Sequence, residues 1–558
     1  MNEAAEKTIE TKVTVPDQDA RLLQQLGLLA LLRRGLPVFY QGLMRESDEV
    51  LRIGAMAALL ELRAIWSDQA EIVAASAHRG AVKRRAFPFF KSVFEYELAE
   101  RVAATPTEDF DALLTARMRA ELALDYKRML ELDLELFLSQ GTPEYLWSAE
   151  RAAERFGGWR AAVPVFAASL LVRPMDPNGP FQLLAMLRNA NQATLVERIC
   201  ASFEASEVYK AEAGVFRAAL LVDSGQHKEA LKRLDRVPPN ALNERLNTLN
   251  YQLRGEALNA LGSFRDSYGA YQRMNAIEKA TFDPRAFYKG IQQRSQYKIE
   301  ATADDPRSAS HLMMLGFPRS GTTLLENALA VHPRIETFEE TEAFSRMARW
   351  IERFVPSTGQ VPTTLLQTAR DKYFDELDRQ AQKSADSMRI DKMPLSSADA
   401  VFLNNVLPSV RYVFSIRHPH DVVLSCFRQS FGPNSAMENL RTIAGAAALY
   451  DFSMTQWFSV HSLEDDPSVV YVRYEDLVES FRPTLERTLE FIGVGWDDAV
   501  LGFVEAADRR FARTPSYKKV RSGLSIGVQS SRENYKFLFD TKETAMLKKW
   551  VKHFGYAD

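Results

Sequence analysis

The 558-residue chain sets 70 lysines and arginines against 73 aspartates and glutamates, a net charge of −3, with 46% hydrophobic residues. That is apolar material for more than one core, and the near balance of charge gives no electrostatic case for nucleic acid or an anionic membrane as main partner. Only two cysteines, Cys200 and Cys426, are present, which excludes a disulfide framework and fits a reducing, cytoplasmic compartment; no Cys and His cluster has metal-ligand spacing.

The first residues, Met1-Asn2-Glu3-Ala4-Ala5-Glu6-Lys7, are polar and acidic rather than signal-like, and residues 1–18 are expected to form a disordered tail. No apolar run approaches the roughly 20 residues needed to span a bilayer. Residues 19–142 read as helix after helix, with apolar-periodic stretches such as Leu22-Leu23-Gln24-Gln25-Leu26 and Ala55-Met56-Ala57-Ala58-Leu59-Leu60. Over residues 143–295 the turn-like positions Gly158, Asn191, Gly225 and Gly262 are separated by 33, 34 and 37 residues, close to the spacing of tetratricopeptide helix pairs. Leu261-Gly262-Ser263-Phe264 with Ala270-Tyr271 is the clearest copy, and a plain helical bundle is the alternative. A stack of such pairs exposes a concave face that binds a peptide or protein, or supports self-association.

The polar stretch Ala301-Thr302-Ala303-Asp304-Asp305-Pro306-Arg307 marks a boundary, and residues 308–558 show an α/β pattern. Strand-like runs near 312, 412 and 470 alternate with helices, which predicts a parallel sheet with its ligand at the carboxyl ends of the strands. The first run, Leu312-Met313-Met314-Leu315, leads into Gly316-Phe317-Pro318-Arg319-Ser320-Gly321-Thr322-Thr323 and then the helical Leu324-Leu325-Glu326-Asn327-Ala328-Leu329. Two glycines separated by four residues, then a helix start, is the spacing of a P-loop, where backbone N–H groups converge on an anion. Thr322 stands where a nucleotide triphosphatase has the Lys that reaches its terminal phosphates, so the loop suits a 5′ group without a triphosphate chain. A second strand-like run, Arg411-Tyr412-Val413-Phe414-Ser415-Ile416, ends in Arg417-His418-Pro419, with Ser425 eight residues after Arg417. The planar fork of an arginine can give a phosphate two parallel charge-assisted hydrogen bonds.

Loop and arginine, in this order, resemble the sulfotransferases that use 3′-phosphoadenosine 5′-phosphosulfate (PAPS). The segments His332-Pro333-Arg334-Ile335 and Phe338-Glu339-Glu340-Thr341 resemble the tyrosylprotein sulfotransferases and their bacterial tetratricopeptide-bearing relatives. The resemblance implies that Pro318, Arg319, Ser320, Gly321, Thr322, Thr323 and Leu324 form the 5′-phosphosulfate site and that Arg417 and Ser425 hold the 3′-phosphate. Glu340 takes the place of the catalytic base for the acceptor hydroxyl. Lys392, in Asp391-Lys392-Met393-Pro394, takes that of the cation facing the departing phosphate. Tyr474, in Arg473-Tyr474-Glu475-Asp476, would frame the nucleotide, and Ser516 and Arg521, in the stretch from Arg513 to Arg521, would approach the sulfonate and the 3′-phosphate. Where many relatives show Gly-Arg-Trp, this chain has Ser530-Ser531-Arg532-Glu533-Asn534-Tyr535.

The resulting expectation is a helical, tetratricopeptide-like N-terminal region followed by an α/β P-loop domain that moves a sulfuryl group from PAPS, without a metal, to a hydroxyl acceptor. A peptide or protein tyrosine is the first acceptor class, and a carbohydrate or small-molecule hydroxyl is the alternative. A nucleotide kinase and a non-catalytic repeat scaffold are readings from other classes.

Overall fold

The computed structural model describes residues 110–122, 125–140, 145, 147–153, 155, 162, 179–204, 210–277, 281–300, 305–356, 359–384, 386–504 and 532–557. The expected tail 1–18, the helical stretch up to residue 109, Gly158, Ser516 and Arg521 lie outside them. Two compact units divide the chain, Met1–Ala257 and Leu258–Asp558.

In the first unit the described residues form helices that pack on their sequence neighbours, among them Gly179–Asn189, Ala193–Glu204, Lys210–Asp223 and His227–Asp235. Asn191 (φ 58°) and Gly225 (φ 79°), two of the positions picked out by the repeat spacing, sit in left-handed turns between helices of these pairs. Leu183, Leu187, Leu195, Val196, Ile199 and Phe216 are fully buried between them, and the Phe181 and Phe216 rings meet edge to face at 5.6 Å. Arg188 closes the packing with a two-pronged pair to Asp223 at 2.8 and 2.9 Å.

The second unit is built on five parallel strands in the order β2-β3-β1-β4-β5: β1 His311–Gly316, β2 Ile335–Glu339, β3 Met388–Lys392, β4 Arg411–Ile416 and β5 Val469–Arg473. The central β1 is buried along its whole length, as its unbroken apolar run requires when helices cover both faces of a sheet. The three runs read as strands from their apolar residues are β1, β4 and β5. The segments Ile335–Glu339 and Met388–Lys392, noted only for their motifs, are strands as well.

Seven helices position the site: α1 Thr322–Ala330, α2 Ala343–Phe354, α3 Thr363–Gln380, α4 Pro419–Phe427, α5 Ile443–Trp457, α6 Tyr474–Glu479 and α7 Phe481–Ile492. One core cluster joins Leu312, Leu325, Leu329, Val413, Leu485 and Leu489, and burying each such side chain is worth about 1.5–3 kcal/mol. Phe414 of β4 stacks on Trp457 of α5 with ring centres 4.4 Å apart.

The unit begins earlier than the Pro306 boundary suggests, because helix Phe264–Ile277 packs with the sheet domain. Asn275 Nδ2 donates to Phe427 O at 2.9 Å, Arg441 donates to Asn275 O, and the Tyr268 ring meets Phe427 at 5.4 Å. Gly262 (φ 80°) makes the turn into that helix. Among the described residues no helix is long and apolar enough to cross a membrane.

Candidate active site

Chain order runs outward and back across β1, so the strand order reverses there, the position at which parallel sheets of this kind bind ligands at the carboxyl ends of their strands. Each of the five strands delivers one predicted residue or loop at that edge: the Gly316–Thr323 loop after β1, Glu340 after β2, Lys392 at the end of β3, Arg417 after β4 and Tyr474 after β5.

The loop turns tightly. Gly316 has φ 152° and a Cβ there would lie 2.7 Å from Ser415 O; Gly321 has φ 106° and a Cβ there would lie 2.7 Å from Tyr474 Cδ2. Arg319 itself is left-handed at φ 72°, a conformation that costs a non-glycine residue about 1–3 kcal/mol and persists only where its surroundings enforce it. Those surroundings are α4 and β4. Arg319 Nε donates to Ser425 Oγ at 3.1 Å, Arg417 Nη1 donates to Arg319 O at 3.3 Å, and the Cys426 thiol donates to Pro318 O at 3.2 Å. Cys426 is buried, and burial pushes its thiol up to about 12, so it acts as a packing residue and a weak donor. Arg417 lies 4.4 Å above the Tyr474 ring. Thr322, Thr323 and Leu324 are buried in the first turn of α1.

Two guanidinium groups thus share one corner, and burial, with Arg417 adding like charge, lowers the pKa of Arg319. Among the described residues no carboxylate lies within ion-pair distance of Arg417, and Ser320 Oγ, Ser415 Oγ and Arg417 Nε are buried without a hydrogen-bond partner. A loop narrowed by two glycines, donors left over, and paired cations at a helix N-terminus fit a ligand bearing phosphate groups. The backbone after Arg417 is held separately: Glu475 accepts from His418 N at 3.1 Å and from the Tyr556 hydroxyl at 2.7 Å.

A second group of charges lies on the β2 and β3 side of β1. Glu339 and Lys392 are paired in register. Lys392 Nζ is fully buried, 3.1 Å from Glu326 Oε2 of α1, 3.1 Å from Glu339 Oε1 and 3.4 Å from Glu340 Oε1. Burial alone would lower the Lys392 pKa, but the three carboxylates outweigh it and raise it, so the ammonium keeps its charge. Glu340 is left-handed (φ 49°), with its side chain 46% exposed, and its N–H donates to Lys392 O at 2.9 Å. This arrangement offers a solvent-facing carboxylate beside a fixed cation, the pair needed to take a proton and to face developing negative charge.

Of the sequence-predicted residues, Pro318, Arg319, Ser320, Gly321, Thr322, Thr323, Leu324, Arg417, Ser425 and Tyr474 come together around the loop, and Glu340 and Lys392 come together beside it. Ser516 and Arg521 lie outside the described residues. The sequence reading did not single out Glu326 for a role, although a lone acid in the apolar run Leu324-Leu325-Glu326-Asn327-Ala328-Leu329 is the signal that marks it. His332 proves structural: Nε2 donates to Gly495 O at 2.9 Å and Nδ1 accepts from Arg334 N at 3.1 Å.

Comparison with known proteins places this domain. Residues 311–498 match the sulfotransferase family. It is 26% identical over 212 residues to protein-tyrosine sulfotransferase A of Caenorhabditis elegans, a match covering 35% of this chain and 53% of that protein. It is also 26% identical over 245 residues to an uncharacterized protein of Aquifex aeolicus (strain VF5), covering 41% of this chain and 31% of the other. The chain therefore spans from under a third to about half of the length of these relatives. Among solved structures, the sulfotransferase domain of the Synechococcus PCC 7002 olefin synthase aligns with 20% identity and a TM-score of 0.32, over 47% of this chain and 99% of that one.

Proposed function

We propose that the second unit transfers a sulfuryl group from PAPS to a hydroxyl acceptor. The observation that carries this reading is the Arg319, Arg417 and Ser425 corner beside the Gly316–Thr323 loop, where two guanidiniums meet and buried donors are left without a hydrogen-bond partner. When bound, PAPS supplies the sulfuryl group, whose bond to the 5′-phosphate oxygen breaks as the acceptor oxygen bonds to sulfur. The loop N–H groups with Thr322 and Thr323 bind the 5′ end, and Arg417 and Ser425 bind the 3′-phosphate, with Tyr474 bracing the Arg417 fork. Glu340 accepts the acceptor's hydroxyl proton on its exposed carboxylate. Lys392, fixed in charge and position by Glu326 and Glu339, neutralises the negative charge left on the phosphate.

The acceptor class is a tyrosine of a peptide or protein. Its support is the Phe338-Glu339-Glu340-Thr341 segment and the match to a protein-tyrosine sulfotransferase. The helical first unit would then recruit that chain.

The test is calorimetric binding of adenosine 3′,5′-bisphosphate, with ATP and 5′-AMP as competitors, followed by transfer of labelled sulfate from PAPS to a tyrosine peptide and its phenylalanine counterpart. Binding that requires the 3′-phosphate and labelling that requires the phenol are expected. A preference for ATP with Mg²⁺ would replace the reading with a kinase; labelling of a sugar but not of tyrosine would change the acceptor.

A further inference from the structure

Beneath Glu340 lies a buried polar chain that the donor site does not use. Asp391, fully buried at the end of β3, accepts from the Thr341 hydroxyl at 2.9 Å through Oδ1 and from the Tyr373 hydroxyl of α3 at 3.3 Å through Oδ2. Thr341 is the residue after Glu340, and its Oγ1 also faces the N–H of Ala343, at 3.4 Å, where α2 begins. Asp391 immediately precedes Lys392, whose carbonyl holds the Glu340 N–H.

A carboxylate buried to this degree is retained only where hydrogen bonds satisfy it. Here one donor is the residue that follows Glu340 and the other is Tyr373 of α3. The left-handed backbone of Glu340 needs enforcement. It is pinned on one side by Lys392 O and on the other by Thr341 bound to Asp391, two successive residues of one strand.

We infer that Asp391 is a positioning residue: with Tyr373 behind it, it grips Thr341 and so sets the left-handed turn that aims the Glu340 carboxylate at Lys392. The inference rests on the proposed role of Glu340 as the base. Burial pushes the Asp391 carboxyl up to about 7, and the Thr341 and Tyr373 hydrogen bonds work against that rise.

The experiment uses the full chain with Thr341→Val, Thr341→Ser, Tyr373→Phe and Asp391→Asn, each alone and with Glu340→Gln. Thr341→Val and Asp391→Asn are expected to lower kcat by about 10- to 100-fold, the scale of a misplaced catalytic group, while the KM for PAPS and the Kd for adenosine 3′,5′-bisphosphate stay within about twofold. Thr341→Ser, which keeps the hydroxyl, restores the rate, and in the Glu340→Gln background none of the changes lowers the rate further. Losses that add to that of Glu340→Gln, or weaker bisphosphate binding, would overturn the inference and make the chain a fold element. A crystal structure of Thr341→Val decides the geometry without activity: Glu340 leaves the left-handed region and Lys392 if the inference holds, and keeps both if it is wrong. If the wild type fails to bind the bisphosphate, or Glu340→Gln turns over normally, the functional reading fails instead, and the crystal structure still settles whether Thr341 and Asp391 set the turn.

Discussion

Glu340 and Lys392 are joined twice: the backbone N–H of Glu340 donates to the carbonyl of Lys392 at 2.9 Å, and the Lys392 ammonium lies 3.4 Å from the Glu340 carboxylate. The strand-end bond fixes where the two residues start, and the ion pair fixes where their side chains finish. A carboxylate and a cation coupled this way keep their relative geometry as long as β2 and β3 stay paired.

The same cluster predicts a stability effect. Replacing Lys392 by Met leaves Glu326 and Glu339 buried without their cation, and removing one partner of a buried pair costs about 3–5 kcal/mol. Urea denaturation should show Lys392→Met destabilised by that order, with part of the loss recovered in Lys392→Met/Glu326→Gln, where one carboxylate is neutral. An unchanged midpoint for the single variant would mean that the carboxylates do not depend on Lys392.

How much of this was legible in the sequence follows from where each partner comes from. Strands β1, β4 and β5 announce themselves as apolar runs, whereas Ile335-Glu336-Thr337-Phe338-Glu339 and Met388-Arg389-Ile390-Asp391-Lys392 carry charges whose burial depends on neighbours distant in the chain. The loop was readable because glycine spacing encodes a backbone turn locally. The Asp391, Thr341 and Tyr373 contact was not, because it joins three elements that only the folded sheet brings together. The domain edge was hidden for a related reason: the apolar face of helix Phe264–Ile277 shows that something covers it, not that Phe427 of the sheet domain does.

Arg417 and Ser425 should differ in weight. Arg417→Ala removes charge-assisted hydrogen bonds worth about 1.5–3 kcal/mol, so the Kd for adenosine 3′,5′-bisphosphate is expected to rise about 10- to 100-fold, with little change for 5′-AMP. Ser425→Ala removes a neutral hydroxyl that accepts from Arg319, and should weaken binding by less than Arg417→Ala. Calorimetry on both variants checks the order. Equal losses for the bisphosphate and 5′-AMP would show that Arg417 does not read the 3′-phosphate.

Gly321 cannot become alanine without moving Tyr474. The new Cβ would lie 2.7 Å from Tyr474 Cδ2 on a backbone with φ 106°, a region that disfavours side chains. Gly321→Ala is expected to displace Tyr474 from beneath Arg417 and to lower both stability and bisphosphate affinity. Adding Tyr474→Ala removes the clash and should restore part of the stability but not the affinity, since the stacking at 4.4 Å is then lost. Thermal melts and calorimetry on the two variants separate these terms.

Asp391 also makes a prediction about pH. Its folded-state value is pushed from 3.8 up to about 7, with burial as the leading cause. A carboxyl whose pKa rises on folding binds its proton more tightly in the native state, so the contribution is favourable at low pH and is lost as pH climbs from about 4 through about 7, by at most about 1.4 kcal/mol per pH unit. Asp399, raised to about 6, acts in the same direction, while His311 and His418, lowered to about 4, act in the opposite direction below pH 6.5. Comparison with Asp391→Asn cancels those shared terms. Between pH 5 and pH 7.5 the wild type should lose more unfolding free energy, or gain less, than Asp391→Asn in denaturant titrations at the two pH values. Parallel curves would mean that Asp391 titrates alike in the folded and unfolded chain, which its burial and its two hydroxyl partners argue against.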